Sequence, residues 1–398
     1  MARLGTAVTL PRHPIVLAAP DKFRGSLTAS EAAAAVAAGA IDAIPSAEVI
    51  TVPIADGGEG SLVACLNAGF HAVPVATISS SGDAVTACYA RRDGVAVVEL
   101  AQASGVQLNG SSPRVARYGS TQGTGVLIRD AVDCGARTVV LAVGGSATTD
   151  GGTGIAAALG ARFLDDAGAD VPPGADGLRR ITRIDTTRLD PRLGGIELVV
   201  ATDVTAPLTG PDGAAHRFAR QKGATDDDVL DFDRGLDHLA RLLRGKTGVD
   251  IAHAPGAGAA GGVAASAVTL LGASIRSGAG FFLNLIGFDT QLGMADLVIT
   301  GEGHADTQTL TGKGPAEVAA RAAAQGKPAL LVAGRISITA AEARRLGIVA
   351  MASITEFEPE PQRQLRHART LLRRATCSAI TRFNAHTRSQ NPTRRTRR

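Results

Sequence analysis

The sequence predicts an α/β fold of two domains, a discontinuous doubly wound α/β domain with a mixed α/β domain inserted into it. Three observations carry this prediction. Short apolar runs alternate with helix-forming segments towards both ends of the chain, the order expected of βαβ units around a parallel sheet. The alternation breaks between about His71 and Leu100, where strand-like runs joined by tight turns leave no room for crossover helices. Finally, 398 residues exceed the usual size of one hydrophobic core.

Taken in order, Ile15 to Ala19 reads as a buried strand, and Thr28-Ala29-Ser30-Glu31 reads as a capping box opening an alanine-rich helix. Ala47 to Ala55 is the next strand and Gly60 to Asn67 the next helix. The turns Ser81-Gly82-Asp83 and Arg92-Asp93-Gly94 punctuate the antiparallel stretch. Helix, strand, loop and helix return from Thr121 to Gly160. Residues 162–195, rich in Gly, Pro, Asp and Arg, read as connecting or edge structure. Glu197 to Thr202 is a strand, and Asp226 to Arg244 an amphipathic surface helix with Val229, Leu236 and Leu239 near the helical period. Ala254 to Gly262 opens a tightly packed helix. Strands at Leu297–Thr300, Ala329–Ala333 and Ile348–Ser353 then alternate with helices at Pro315–Gln325 and Ala340–Leu346. The shared style of the two ends predicts a Rossmann/flavodoxin-like α/β domain at 1–75 plus 255–383, with the inserted α/β domain at 76–254.

Composition bounds the function. The core must be Ala, Val, Leu and Ile, because aromatics make up 3% and Trp is absent. No run is long and apolar enough for a membrane span, and the first residues lack a secretory pattern, so a cytoplasmic protein is expected. The four cysteines are far apart with no C-x-x-C pair, which argues against zinc and a disulfide framework. The net charge of +4 comes from the end of the chain: residues 382–398 hold six arginines and no acid, and without them the balance is 4 − 6 = −2. Residues 384–398 therefore read as a basic, disordered tail, and no specific nucleic-acid partner is expected.

Five polar clusters stand where strands hand over to loops, the place where open α/β sheets bind ligands. Pro20-Asp21-Lys22-Phe23-Arg24-Gly25-Ser26 follows the first strand, and Asp56-Gly57-Gly58-Glu59 the second. A valine-rich run ends in Gly144-Gly145-Ser146-Ala147-Thr148-Thr149-Asp150-Gly151-Gly152, a glycine/hydroxyl loop before a helix, which suits an anion such as phosphate. It fits neither G-x-x-x-x-G-K-[ST] nor G-x-G-x-x-G. Asp203 ends a further strand, followed by Arg220-Gln221-Lys222. The fifth cluster, with Glu302, His304 and Asp306, ends the strand from Leu297, ahead of Gly312-Lys313-Gly314. Acids for a divalent metal, cations for phosphates and a candidate base are the parts phosphoryl transfer needs.

In these clusters the chain resembles the bacterial type 1 glycerate kinases (glycerate 2-kinases). The resemblance runs from about Ile15 to Phe383 through Ala19 to Leu27, Ala55 to Gly60, Gly144 to Gly152, Gln221 to Ala224, Pro255 to Gly262 and Ile299 to Gly303, with Asp306, Gln308, Thr309, Gly312 and Lys313. It implies Mg-ATP-dependent phosphorylation of D-glycerate, giving 2-phosphoglycerate and ADP. On this basis Asp203, then Asp56, is expected to position or deprotonate the attacking hydroxyl, and Lys22 or Arg24 to hold the substrate carboxylate. Gly144, Gly145, Ser146, Thr148, Gly151, Gly152, Lys222 and Lys313 are expected at the nucleotide, and Glu302 and Asp306 at Mg2+. Four residues depart from the family pattern: Arg24 for a usual Lys, Ala206 for a common Asn, and Ala219-Arg220 for a usual Gly-Pro. The alternatives are a kinase for another small hydroxy acid, such as tartronate or a sugar acid, and a non-catalytic phosphate-ligand sensor on the same fold. The sequence leaves monomer and homodimer both open.

Overall fold

Along the first strand the side chains take turns: Val16 and Ala18 enter one buried cluster, and Leu17 and Ala19 enter another on the opposite face. A strand buried on both faces belongs to a covered parallel sheet. The computed structural model, which describes residues 10–312 and 314–390, shows such a sheet. The strands are β1 (Ile15–Pro20), β2 (Glu48–Thr51), β3 (His71–Ile78), β4 (Ala84–Arg92), β5 (Val95–Glu99), β6 (Thr138–Ala142), β7 (Arg162–Leu164), β8 (Arg183–Asp185), β9 (Glu197–Ala201), β10 (Ser274–Arg276), β11 (Leu297–Ala305), β12 (Ala329–Ile336) and β13 (Ile348–Ser353).

The chain divides into two compact units, Met1–Asp56 with Ala279–Arg398, and Gly57–Gly278. The first unit holds the sheet β13-β12-β11-β1-β2, parallel throughout. The helices Ala29–Ala43 and Ala368–Gln390 pack against each other, with Gly39 so close to the second helix that a Cβ would stand 2.3 Å from the Arg373 carbonyl oxygen. Thr28 caps the earlier helix in the expected capping box with Glu31. The helix Gly314–Ala324 lies against β11 and β12. Strand order reverses direction at β1 and β11, which makes their carboxyl ends the topological switch point of this sheet.

The second unit is built on the sheet β10-β9-β6-β5-β4-β3. Strands β3, β4 and β5 pair antiparallel, as the run of turns predicts, and β5, β6, β9 and β10 pair parallel. Residues 162–195 supply the short antiparallel pair β7-β8, and the helix Asp226–Thr247 buries Val229, Leu236, Leu239 and Leu243.

Unit boundaries differ from the expected 75 and 254. Residues 57–75 belong with the second unit because β3 pairs along its length with β4, and the buried Glu99 carboxylate accepts the N–H groups of Gly60 and Leu62 at the start of the helix Ser61–Asn67. Residues 255–278 belong there because β10 joins β9 and the helix Val263–Leu271 packs on the helix Thr153–Ala158. Of the tail expected at 384–398, residues 384–390 continue the last helix, and the rest lies outside the described residues.

Candidate functional site

At the switch point of the first unit, Asp21 follows β1 directly and its N–H donates to the Gly301 carbonyl of β11, tying the two strand ends together. Its carboxylate accepts from the Lys22 N–H at 2.6 Å. The Lys22 ammonium reaches Asp56 Oδ1 at 3.1 Å and Asp21 Oδ1 at 3.8 Å. Burial, followed by the Asp56 charge and more weakly that of Glu302, pushes Asp21 up to about 7 against the pull of Lys22. Burial alone would lower the Lys22 ammonium, but the two carboxylates outweigh it and hold the group above its ordinary value. Arg24 sits exposed in a turn closed by hydrogen bonds between Phe23 and Leu27.

Glu302 lies on the same edge, where its Oε1 accepts the Thr309 hydroxyl at 2.7 Å. Asp306 is held by Gln308 N–H, donating at 2.8 Å, and faces His304 Nδ1 at 3.8 Å, while the other His304 nitrogen meets the Ser337 hydroxyl. Lys313 lies outside the described residues. Among those described, no three acidic, His or Cys side chains form a ready metal cage.

In the second unit the loop after β6 is more divided than its sequence suggests. Its rear half is closed on itself. Asp150, fully buried, accepts from Thr121 N–H and Oγ1, both at 2.8 Å, and from the N–H groups of Gly152 and Gly154. The first amides of the short helix Thr153–Ala158 are thus spent inside the protein. Burial raises the Asp150 carboxyl against these donors. Lys222, 2% exposed, donates its Nζ to the Thr148 carbonyl at 2.5 Å. Burial lowers it to about 8, with the Asp150 charge resisting. Thr148 bonds Ser146 through its hydroxyl, and a Cβ on Gly152 would stand 2.7 Å from the Val263 carbonyl oxygen. The expected ligand residues Thr148, Gly151, Gly152 and Lys222 are buried, with their backbone N–H or ammonium groups bonded within the protein.

The front half is different. Gly144 donates to the Gly57 carbonyl, and a Cβ on it would stand 2.3 Å from Gly58 Cα, so its glycine permits a close crossing of two chain segments. Gly145 is exposed with φ +74°, and no hydrogen bond among the described residues takes up the N–H of Gly145 or Ser146. Successive free amides at a left-handed residue form an anion-binding concavity. Beyond β9, Asp203 Oδ1 accepts from the Ser277 hydroxyl at 2.8 Å and the Gly278 N–H at 2.9 Å, which fixes the carboxylate after its strand.

With this geometry in view, similarity to known proteins is specific. Residues 16–384 match the glycerate kinase family. The chain belongs to that family. It is 40% identical over 342 residues to a glycerate kinase of Bacillus subtilis (strain 168), and 37% identical over 342 residues to a glycerate 2-kinase of Escherichia coli (strain K12), in each case covering 85% of this chain and 90% of the relative. A crystal structure of a protein designated glycerate kinase 2 from Salmonella typhimurium LT2 superposes with a TM-score of 0.77 at 34% identity, covering 94% of this chain and all of the other. This member of the glycerate kinase family is thus a kinase, a phosphotransferase enzyme.

Two groups beside these residues had no role assigned from sequence. Asp21 stands in a noted cluster, and its N–H is tied to Gly301 of β11, far away in the chain. The segment Ala254–Gly262 opens the helix Val263–Leu271 as expected, and within it Ala260, at φ +53°, accepts the Ser146 hydroxyl on its carbonyl while Gly261 presses on Thr148. Its glycine spacing was the available signal.

Proposed function

We propose that this family member transfers the terminal phosphoryl group of ATP to the 2-hydroxyl of D-glycerate, releasing ADP and 2-phosphoglycerate. The observation that carries the reading is the placing of fixed charges of both signs at the carboxyl edges of parallel strands, with open amide donors in the loop after β6. Phosphoryl transfer requires positioning and charge neutralisation more than covalent participation by the protein. The N–H groups of Gly145 and Ser146 hold phosphate oxygens. Exposed Arg24 takes the glycerate carboxylate as a planar fork, while Lys22 is engaged with Asp56 and Asp21.

Asp203, oriented by Ser277 and Gly278, accepts the proton of the attacking hydroxyl as its oxygen bonds to phosphorus and the bond to ADP breaks. Asp56 keeps the Lys22 ammonium in place. Glu302 and Asp306 supply hard oxygen donors that fit Mg2+, which when bound neutralises phosphate charge. We place the enzyme in the cytoplasm, where ATP is available. Among the described residues no helix is long and apolar enough to cross a membrane.

A coupled ADP-release assay with Mg-ATP and D-glycerate, run beside L-glycerate and tartronate with the product identified by phosphorus NMR, tests this. A D-glycerate-dependent rate yielding 2-phosphoglycerate is expected. Turnover of tartronate alone would move the enzyme to another hydroxy acid, and folded protein inert with all three would overturn the reading.

A further inference from the structure

Among the described residues, few buried side-chain oxygens lack a hydrogen-bond partner, and Thr149 Oγ1 is the one that lies in the loop after β6. Thr149 is 1% exposed. The backbone donors around it fall into two groups. The N–H groups of Thr148, Gly151, Gly152, Thr153 and Gly154 all reach acceptors of the protein. No hydrogen bond among the described residues takes up the N–H of Thr149 or of Asp150. Three donors on two adjacent buried residues are thus left over, where native proteins almost always satisfy every one.

Loose structure does not explain them. A Cβ on Gly261 would stand 2.6 Å from Thr149 Cα, Lys222 fixes the carbonyl of Thr148, and the Asp150 side chain is pinned by four donors. Amide N–H groups can only donate, so the missing partner is an acceptor. The Asp150 carboxylate is turned to its own donors, and the Lys222 ammonium adds positive charge behind the same stretch, which favours an acceptor that is anionic.

We propose that the Thr149 hydroxyl and the N–H groups of Thr149 and Asp150 bind an oxygen of the nucleotide's phosphate chain, adding to the donors of Gly145 and Ser146. The proposal rests on the reading of this loop as the nucleotide site. Thr149 is then a binding residue in its own right, while Asp150 and Lys222 act through the loop they hold.

Replacing Thr149 by Val removes the hydroxyl at nearly constant volume, and Thr149→Ser keeps it. In T149V the KM for ATP rises about tenfold and the KM for glycerate stays within about twofold, while Tm is unchanged or higher because an unpaired buried hydroxyl has gone. T149S behaves like the wild type. A lower Tm with an unchanged KM for ATP would show the hydroxyl to be structural and overturn the proposal, as would a shift in the KM for glycerate instead of that for ATP. The wild-type protein gives a second test free of folding effects: the amide nitrogen and proton signals of Thr149 and Asp150 move on titration with ATP. Wild-type protein that binds ATP with these two amides silent overturns this assignment alone, whereas wild-type protein that does not bind ATP at all overturns the nucleotide reading beneath it.

Discussion

The carboxyl edge of the first unit and the loop after β6 in the second both combine acids with a lysine, but they do so in opposite ways. In the loop, one buried carboxylate and one buried ammonium face inward, satisfied by backbone groups and by each other's charge, and they leave a surface of amide donors. At the edge of the first unit, the Lys22 ammonium faces the Asp56 and Asp21 carboxylates, and the charge of Glu302 also reaches Asp21. In the loop charge is spent on the backbone; at the strand ends it is spent on other side chains. In the function proposed above, the same residue types thus serve opposite ligands.

The largest effect expected is on catalysis. Asp203→Asn keeps the size and the hydrogen bonds of the side chain but removes the proton acceptor, so kcat falls by about 10²–10⁴-fold with the KM for ATP little changed. Steady-state kinetics with a wild-type-like kcat would remove Asp203 from the mechanism. Next comes Asp150→Asn, which turns an oxygen of a buried carboxylate that accepts four donors into an NH2 group facing them, and costs about 1–3 kcal/mol of stability. Urea denaturation checks this, and no measurable loss would show that the loop does not depend on the buried carboxylate.

The contrast reappears in pH dependence. Burial and the neighbouring Asp56 charge push Asp21 from its ordinary 3.8 up to about 7, so between these values the folded state holds a proton the unfolded state has released. Its contribution therefore weakens the fold progressively as pH rises from about 4 to about 7. Asp21→Asn removes this decline, so thermal melts of the variant and the wild type diverge through that window in favour of the variant. Parallel curves would contradict the burial and charge crowding assigned to Asp21. For Lys222 the sign is reversed: it is lowered from 10.5 to about 8, so above pH 8 the unfolded state binds the extra proton and the local contribution to stability rises with pH.

Much of this contrast was not legible in the sequence. The strands, the capping box at Thr28 and the antiparallel stretch were, because apolar period and turn residues are local signals. The membership of residues 57–75 and 255–278 was not, because a strand's partner is decided by pairing with distant segments, as β10 with β9. The loop motif was recognised, but its two halves look alike as letters. Only the Asp150 hydrogen bonds separate residues that face inward, such as Gly152 and Lys222, from those with free amides, such as Gly145. The Asp203 carboxylate was found at its strand end, while its partners Ser277 and Gly278 lie more than seventy residues away.

The smallest stability effect belongs to Arg24→Ala. An exposed arginine in a turn costs under about 0.5 kcal/mol to remove, yet the KM for glycerate should rise about tenfold. This variant, set against T149V in one kinetic experiment that varies ATP and D-glycerate independently, is the decisive measurement. The division of labour described here predicts a crossed result: Arg24→Ala raises the KM for glycerate and spares that for ATP, and Thr149→Val does the reverse. Two variants that weaken the same substrate, or both equally, would contradict it.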